Sequence, residues 1–208
     1  MALYFHKIAF TDAVKALQVA HGSRNSYERM EKFNVVDGLT HNEMAFIANR
    51  DSFYMASIGT NNYPYIQHRG GPKGFLKVLD KDRIACIDFL GNKQYITVGN
   101  LVDNANVSLI LMDYPAKARL KIYAKAEIVA LKNNPELQAT LDLGDYKFRG
   151  ERIMVFHIEA YDWNCPQHIT ARFTAHEIQI ALQPQQAYIN KLEEENKLLA
   201  AKLKEAGF

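Results

Sequence analysis

The sequence predicts a mainly β protein, an antiparallel barrel with added helices and a C-terminal helix. Seven or eight strand-like segments follow one another, mostly in hairpin order, with short helical segments between them. This order favours an antiparallel barrel over the alternating βαβ units of a parallel sheet. From Pro184 the periodicity becomes helical. We therefore expect a barrel domain over residues 1–180 and a helix over residues 181–208.

Composition excludes several classes of protein. Hydrophobic residues make up 48% of the 208 residues and charged residues 23%, as in ordinary globular proteins. The net charge of +2 is too small to indicate nucleic-acid binding. Cys86 and Cys165 lie far apart without metal-ligand spacing, so we expect reduced thiols and no metal. The sequence shows neither a secretory pattern nor an apolar run of ~20 residues, which predicts a cytoplasmic protein without a membrane partner.

Two capping patterns predict helices before the sheet. Thr11 can cap a helix over residues 12–20, with Val14 and Leu17 on its buried face. Thr40 begins a capping box, in which a hydroxyl and a carboxylate satisfy free amides at a helix start. The core candidates of this second helix, which covers residues 43–49, are Met44, Phe46 and Ile47.

Beyond Asp51 the periodicity becomes strand-like, with a short helix expected from Asn133 to Leu143. Apolar and polar residues alternate in some segments, whereas others are apolar throughout and predict burial on both faces. The predicted strands are Phe53–Ile58, Tyr63–His68, Arg83–Phe89, Gln94–Val98, Asn106–Met112, Arg119–Leu131 and Ile153–Ala160.

Two turns of this predicted sheet concentrate cations and glycines. The first holds Arg69 and Lys73 among three glycines, and the second is Gly91–Gln94. A guanidinium group makes bidentate charged contacts with a phosphate, and exposed backbone amides add favourable dipoles. Each turn alone is more simply a solvated basic turn, since neither a Walker loop nor GxGxxG is present. Adjacent strands would bring the turns together, which predicts a site for an anionic ligand.

Several runs of the sequence resemble the pyridoxamine 5′-phosphate oxidase-like flavoprotein family, and more narrowly its branch of FMN-binding proteins without an assigned substrate. The runs are PYIQHRGGPKGFLKVLD, DFLGNKQYITVGNL, VSLILMDYP and RLKIYAKAEIV. The similarity covers about residues 12–173 and is strongest over residues 51–129. The later run WNCPQHITARFT, from Trp163 to Thr174, also resembles this branch.

The resemblance implies a split β-barrel and a homodimer that holds FMN in clefts at the subunit interface. It places Arg69 on the phosphate. The second phosphate ligand is either Lys73 or Lys77, because Gly70–Pro72 lengthens the interval between Arg69 and Lys77 relative to the founding oxidases. The residues that we assign to the cofactor are His68, Arg69, Lys73, Lys77, Asn92, Lys93, Gln94, Trp163, Gln167, His168 and Arg172. Of these, Trp163 and Arg172 are implied at the flavin ring. His68 and His168 are candidates either for ring donors or for structural hydrogen bonds.

These implications predict an FMN-dependent oxidoreductase acting on a small molecule or electron donor. The flavin would carry the redox chemistry, and the protein would supply position and electrostatics. Vitamin B6 oxidation does not carry over, since the oxidase's basic substrate cluster is not evident, and no catalytic residue is predicted. The alternatives are a non-catalytic flavin-binding sensor or interaction module, or a barrel that holds haem or a deazaflavin.

The C-terminal segment follows a heptad frame. Isoleucine at a, leucine at d and one asparagine at a favour a two-stranded parallel coiled coil. We prefer this self-association to packing on the chain's own domain, because asparagine is an odd choice for an intramolecular core. Ile189, Leu192, Asn196, Leu199 and Leu203 fall at a, d, a, d and a of this frame, and Leu182 extends it backwards.

Overall fold

A computed structural model describes residues 5–33, 37–163 and 165–207. The strands are β1 (Ser52–Ile58), β2 (Pro64–Gly70), β3 (Lys77–Val78), β4 (Arg83–Phe89), β5 (Asn106–Asp113), β6 (Ala118–Val129) and β7 (Gly150–Trp163). The helices are α1 (Phe5–Ala9), α2 (Asp12–Ala20), α3 (Arg24–Phe33), α4 (His41–Ala48), α5 (Ile96–Asp103), α6 (Pro135–Thr140) and α7 (Ala175–Glu205). A 3-10 turn at Leu131–Asn133 precedes α6.

The strands form one antiparallel sheet in the order β2-β1-β5-β6-β7-β4-β3. The sheet is curled but not closed, because its two edge strands, β2 and β3, do not pair with each other within the described residues. The predicted fold class is therefore confirmed: a mainly β, antiparallel split barrel with added helices and a C-terminal helix.

Side chains from alternate strand positions form the main core inside the curl. Phe53 and Met55 of β1, two residues apart, meet Ile122 of β6 and Phe156 of β7. A smaller cluster, which includes Val155 and residues at the end of α6, lies on the other side of β7. The centre of β7 is therefore buried on both faces, which explains its continuous apolar run.

The N-terminal helices confirm their capping patterns but not every buried face. The Thr11 hydroxyl accepts a hydrogen bond from the Val14 amide at 3.4 Å. The expected inward position of Leu17 was wrong, since this side chain is 60% exposed. Gln18 is buried instead, because its Oε1 accepts a hydrogen bond from Arg24 Nη1 at 2.7 Å. A polar partner on α3 thus decided which face of α2 is covered.

The strand expected over Gln94–Val98 was also wrong, since α5 begins at Ile96. Tyr95 has left-handed backbone geometry, with φ of 56°, which ends the extended direction of the chain. The β-branched residues that follow favour strands only weakly, and tertiary packing overrides that preference. Thr97 is buried, and Val98 and Leu101 pack against the main core.

The chain divides into two compact units. Residues 1–113 and 117–169 form the first, and residues 114–116 and 170–208 form the second. Helix α7 belongs to the second unit, begins at Ala175 and has no buried residue in its described length.

No helix in the described ranges combines the length and the apolar character that a membrane span requires.

Glu43 attaches α4 to the end of β7. This buried carboxylate completes the capping box with Thr40, whose backbone amide donates to it at 2.9 Å. It also accepts hydrogen bonds from Trp163 Nε1 at 2.6 Å and from the Tyr161 hydroxyl at 3.3 Å. Ile47, fully buried in the core, and partly buried Met44 and Phe46 then pack as predicted.

We expect acid to weaken this attachment. Burial opposes ionisation of Glu43, but hydrogen bonds from Thr40 and Trp163 outweigh it and hold the pKa of Glu43 below its usual range. A lowered folded-state pKa stabilises the fold above the unfolded pKa, and this contribution is lost as pH falls through the folded pKa. Glu43→Gln should therefore lower the free energy of unfolding by about 1–3 kcal/mol at neutral pH.

Urea unfolding between pH 7 and pH 3 measures this effect, and the difference between the two proteins should shrink in acid. Glu194→Gln on the exposed surface of α7 is the control and should change stability by less than about 0.5 kcal/mol. A loss for Glu43→Gln that stays constant with pH would contradict the assigned role.

Candidate functional site

A cavity of about 100 Å³ lies between β2, the turn after β4, and the start of α5. Small-molecule sites usually measure ~300–1,000 Å³, so this cavity suits a small polar group rather than a whole cofactor. Its lining residues are Tyr65, Gln67, Arg69, Asp88, Phe89, Gly91, Asn92, Lys93, Gln94, Tyr95, Ile96, Thr97, Val98 and Glu151.

Arg69 from the first cationic turn lines this cavity together with the whole second turn, Gly91–Gln94, although the two strands are not adjacent as expected. β2 is an edge strand that pairs with β1, whereas β4 lies between β7 and β3. The curl of the sheet brings the two strands together, and the contact is made by an ion pair between Arg69 and Asp88. The predicted adjacency was wrong because an ion pair between side chains, rather than backbone hydrogen bonds, joins β2 and β4.

Asp88 is the centre of the charged network beneath the cavity. Its side chain is buried and pairs with Arg69 through one oxygen, while Arg152 Nε lies 3.4 Å from the other. Gln67 Oε1 accepts from Arg69 Nη2 at 3.2 Å. Arg69 Nε is buried and has no hydrogen-bond partner among the described residues. Asp88 and Gln67 therefore hold the guanidinium group in place.

The start of α5 adds a second source of positive potential. Tyr95 precedes the helix without a side-chain cap, and Ile96, Thr97 and Val98 line the cavity. The first amides of a helix have no intrahelical acceptor, and the helix dipole is positive at this end. The Thr97 hydroxyl donates to Gln67 Oε1 at 2.8 Å, which connects α5 to the strand that carries Arg69.

The turn that leads into α5 has left-handed geometry at two residues. Lys93 has φ of 62° and Tyr95 has φ of 56°. Asn92 Oδ1 accepts from the Gln94 amide at 3.2 Å and stabilises the turn between β4 and α5. Strained backbone persists where surrounding structure holds it, and such positions cluster at functional sites. Together with Arg69, these groups surround the cavity with positive charge, an arrangement that suits an anion.

Tyr95 and Glu151 form a further wall of the cavity. The Tyr95 hydroxyl donates to Glu151 Oε1 at 2.9 Å, which raises the pKa of Tyr95. Arg152 donates to the other oxygen of Glu151 at 2.7 Å, and its guanidinium carbon lies 5.1 Å from the centroid of the Tyr95 ring. This wall neutralises its own charges, so the net positive potential lies on the side of Lys93 and α5.

Four of the predicted cofactor residues line this cavity: Arg69, Asn92, Lys93 and Gln94. His68 points to the other face of β2, where its ring lies edge-on to Tyr54 at a centroid distance of 5.4 Å. Lys73 is exposed in the turn after β2, and Lys77 lies in β3 opposite Ala85. None of these three described residues lines the cavity, so the choice between Lys73 and Lys77 as the second phosphate ligand stays open.

The late group of predicted residues lies elsewhere in the chain. Trp163 ends β7, twelve positions from Glu151, which is about 40 Å along an extended strand. Its indole donates to Glu43 and packs edge-on against Phe46. Gln167 and His168 follow in an exposed segment, where His168 has φ of 65°.

Arg172 belongs to the second compact unit, where its guanidinium carbon lies 4.9 Å from the centroid of the Tyr114 ring.

The sequence prediction missed the residues that hold the site together. Gln67 lies two positions before Arg69 and therefore on the same face of β2, a signal that strand periodicity contains. Asp88 ends the apolar run of β4, where a buried carboxylate requires a charged partner. Glu151 has no such local signal, because its role follows from the pairing of β4 with β7.

In the described ranges, no group of three or more His, Cys, Asp or Glu side chains is arranged to hold a metal ion.

Comparison with known families agrees with this fold. The sequence profile described as "Pyridoxamine 5'-phosphate oxidase" matches residues 39–149, more than half of the chain. The chain belongs to this family. The matched region includes β2, β4 and the start of α5, and therefore all of the cavity except Glu151. No curated protein matches the chain.

Several solved structures of the family's fold are similar. A tagged HupZ of Group A Streptococcus is 15% identical, over 65% of this chain and 100% of that one, with a TM-score of 0.47. A putative pyridoxamine 5′-phosphate oxidase from Lactobacillus delbrueckii is 18% identical, over 62% and 97%, with a TM-score of 0.46. An FMN-binding protein from Syntrophomonas wolfei is 18% identical, over 71% and 97%, with a TM-score of 0.44.

We expect Asp88→Asn to destabilise the protein strongly. The change leaves Arg69 and Arg152 facing a neutral amide, and breaking a buried ion pair costs about 3–5 kcal/mol. Inorganic phosphate should restore part of the loss, because an anion in the cavity would lie beside Arg69, which lines it.

Denaturant unfolding in phosphate and in sodium chloride of equal ionic strength measures both effects. Asp80→Asn is the matched control, because Asp80 pairs with Arg83 at the surface and such pairs contribute at most about 1 kcal/mol. Equal losses for the two variants would show that Asp88 does not hold the network.

Proposed function

We propose that this chain is an FMN-dependent oxidoreductase that binds the cofactor's phosphate in the cavity beside Arg69. The observation that carries the proposal is the convergence of Arg69, Lys93 and the uncapped start of α5 on one small cavity. Family membership supports it, since the cavity lies almost entirely in the matched region.

The residues present fit the phosphate end of FMN. A phosphate dianion accepts several hydrogen bonds, and Arg69, Lys93 and the first amides of α5 are donors around one small volume. Asp88 and Gln67 keep the arginine oriented before the ligand arrives, which reduces the entropy lost on binding. When bound, FMN would supply the electron or hydride transfer, while the residues of this chain bind and orient it. The substrate class is a small molecule, and vitamin B6 oxidation is not part of the proposal.

The small size of the cavity supports a site shared by two subunits. A flavin ring needs more space than this cavity of about 100 Å³ offers, and it needs an apolar wall. The residues that the resemblance implies at the ring, such as Trp163, lie far from Glu151 along β7. We propose that the second copy of a homodimer supplies them.

An exposed apolar surface on β1 and β2 supports this dimer. Tyr54 and Ile58 of β1 are 39% exposed, and Ile66 of the edge strand β2 is 66% exposed. The strand register places Ala56 opposite Ile66 and Ile58 opposite Pro64, so these side chains share one outward face. Contiguous exposed apolar surface of this kind marks interaction sites.

Two alternatives use the same cavity. The protein is a non-catalytic flavin-binding sensor if it retains flavin without turning over reduced nicotinamide and an electron acceptor. The barrel holds a different cofactor if the purified protein shows a haem Soret band or the spectrum of a deazaflavin. Absorbance and mass spectrometry of the ligand that survives purification therefore separate these candidates from FMN.

Arg69→Ala should lower FMN affinity on the order of 10- to 100-fold, because a hydrogen bond to a charged group contributes about 1.5–3 kcal/mol. Riboflavin, which has the same ring without the phosphate, should lose little affinity. Fluorescence titration of both ligands measures the contrast, with Arg83→Ala at the exposed start of β4 as the matched control. A variant that keeps full FMN affinity, or that loses riboflavin equally, would refute the phosphate assignment.

Mixed dimers test whether two subunits share the cleft. Arg69→Ala impairs one side, and Gln167→Ala combined with His168→Asn impairs the other, with asparagine chosen because it tolerates positive φ. Each variant alone should lose flavin, whereas a mixture after subunit exchange should recover up to one intact cleft per mixed dimer. Flavin content and redox titration of the mixture measure this, and the absence of recovery in proven mixed dimers would contradict a shared cleft.

A further inference from the structure

Helix α7 is a long element without buried residues. It runs for 31 residues from Ala175 to Glu205, about 46 Å at 1.5 Å per residue. Its start is fixed by a capping box, in which the Thr174 hydroxyl accepts from the Glu177 amide at 3.2 Å. Isolated helices depend on tertiary packing of an apolar face for most of their stability. The helix therefore needs a partner for the face that it exposes.

The helix extends the heptad frame to just over four heptads. Beginning at Ala175 instead of residue 181, it adds Ile178 at a d position. Pro184 and Leu198 both lie at c positions, outside the a and d seam. The apolar seam residues, each 38–58% exposed, are Ile178, Leu182, Ile189, Leu192, Leu199 and Leu203.

Two amides interrupt this seam, Gln185 at d and Asn196 at a. A seam amide needs a hydrogen-bonding partner, because an unpaired polar group in an apolar interface costs free energy. In a parallel, in-register pair of two α7 helices, each amide faces its own copy and every apolar residue faces an identical apolar residue. The helix is thus complementary to a second copy of itself. A partner helix without amides at the matching positions would leave Gln185 and Asn196 unpaired.

We propose that α7 binds α7 of a second copy of this chain as a parallel, in-register coiled coil. Asn196 at a favours a two-stranded parallel pair and specifies its register, and the residues around it, Ile189 at a with Leu192 and Leu199 at d, match that pair. A shift by one heptad would place Asn196 against Ile189 or Leu203. This interaction does not depend on flavin, so it stands apart from the proposed redox function.

The competing arrangement is antiparallel, and it makes a different geometric prediction. In antiparallel pairing with matched layers, Asn196 faces Gln185 of the second helix, and Leu199 faces Leu182. The two copies of position 199 then lie 17 residues apart, about 25 Å, whereas in the parallel pair they are in direct contact. A thiol placed at position 199 therefore reports both the pairing and its direction.

Adjacent leucines provide matched variants. In a Cys165→Ser background, which removes the exposed native thiol and leaves buried Cys86, one protein carries Leu199→Cys and another carries Leu198→Cys. The two positions are similarly exposed, Leu199 at 58% and Leu198 at 62%, so neither change removes a buried side chain. Full-length protein at micromolar concentration is equilibrated in a glutathione redox buffer, and the disulfide-linked dimer is quantified on non-reducing gels.

We expect Leu199→Cys to form at least tenfold more linked dimer than Leu198→Cys, because pairing raises the effective thiol concentration to the millimolar range. Adding Leu192→Asp to the Leu199→Cys protein should abolish the excess. Circular dichroism checks that both cysteine proteins remain folded. Equal linkage at positions 198 and 199, or linkage at neither, would overturn the proposal. A disulfide between Leu182→Cys of one chain and Leu199→Cys of the other, without linkage between two Leu199→Cys chains, would show antiparallel pairing and would also overturn it.

Discussion

The ion pair between Arg69 and Asp88 is the interaction on which the site depends. The two residues lie on strands at opposite ends of the sheet order, separated by four strands, and they meet only because the sheet curls. Charges removed from water must be paired, so Asp88 binds Arg69 and approaches Arg152 at the same time. The pair joins β2 to β4 across the curl of the sheet, and it holds the guanidinium group of Arg69 in the lining of the cavity.

Local backbone geometry serves the fold and the candidate site together. The left-handed residues Lys93 and Tyr95 turn the chain from β4 into α5, and the same turn leaves the helix start without a side-chain cap. A helix start without a cap costs stability in an ordinary helix, because its first amides lack acceptors. Here Ile96, Thr97 and Val98 line the cavity, so an anion bound in it would offset this cost.

Much of the architecture was predictable because it is encoded locally. The period-two alternation in β1 and β6 and the capping box at Thr40 each depend on residues within a few positions of one another. The failures have equally physical causes. Ile96–Val98 is β-branched and yet helical, because Tyr95 turns the chain and Thr97 is buried, while the exposure of Leu17 follows from Arg24 holding Gln18. Both outcomes depend on partners that a short window does not contain.

The sequence by itself determined the antiparallel strands, the two turns with Arg69 and Lys93, and the seam of α7. These features follow from periodicity and from the chemistry of neighbouring residues. Only the tertiary structure determined that Asp88 pairs with Arg69 and that Gln67 connects Arg69 to α5. The physical reason is the curl of the sheet, a property of all seven strands together, which brings distant side chains into contact.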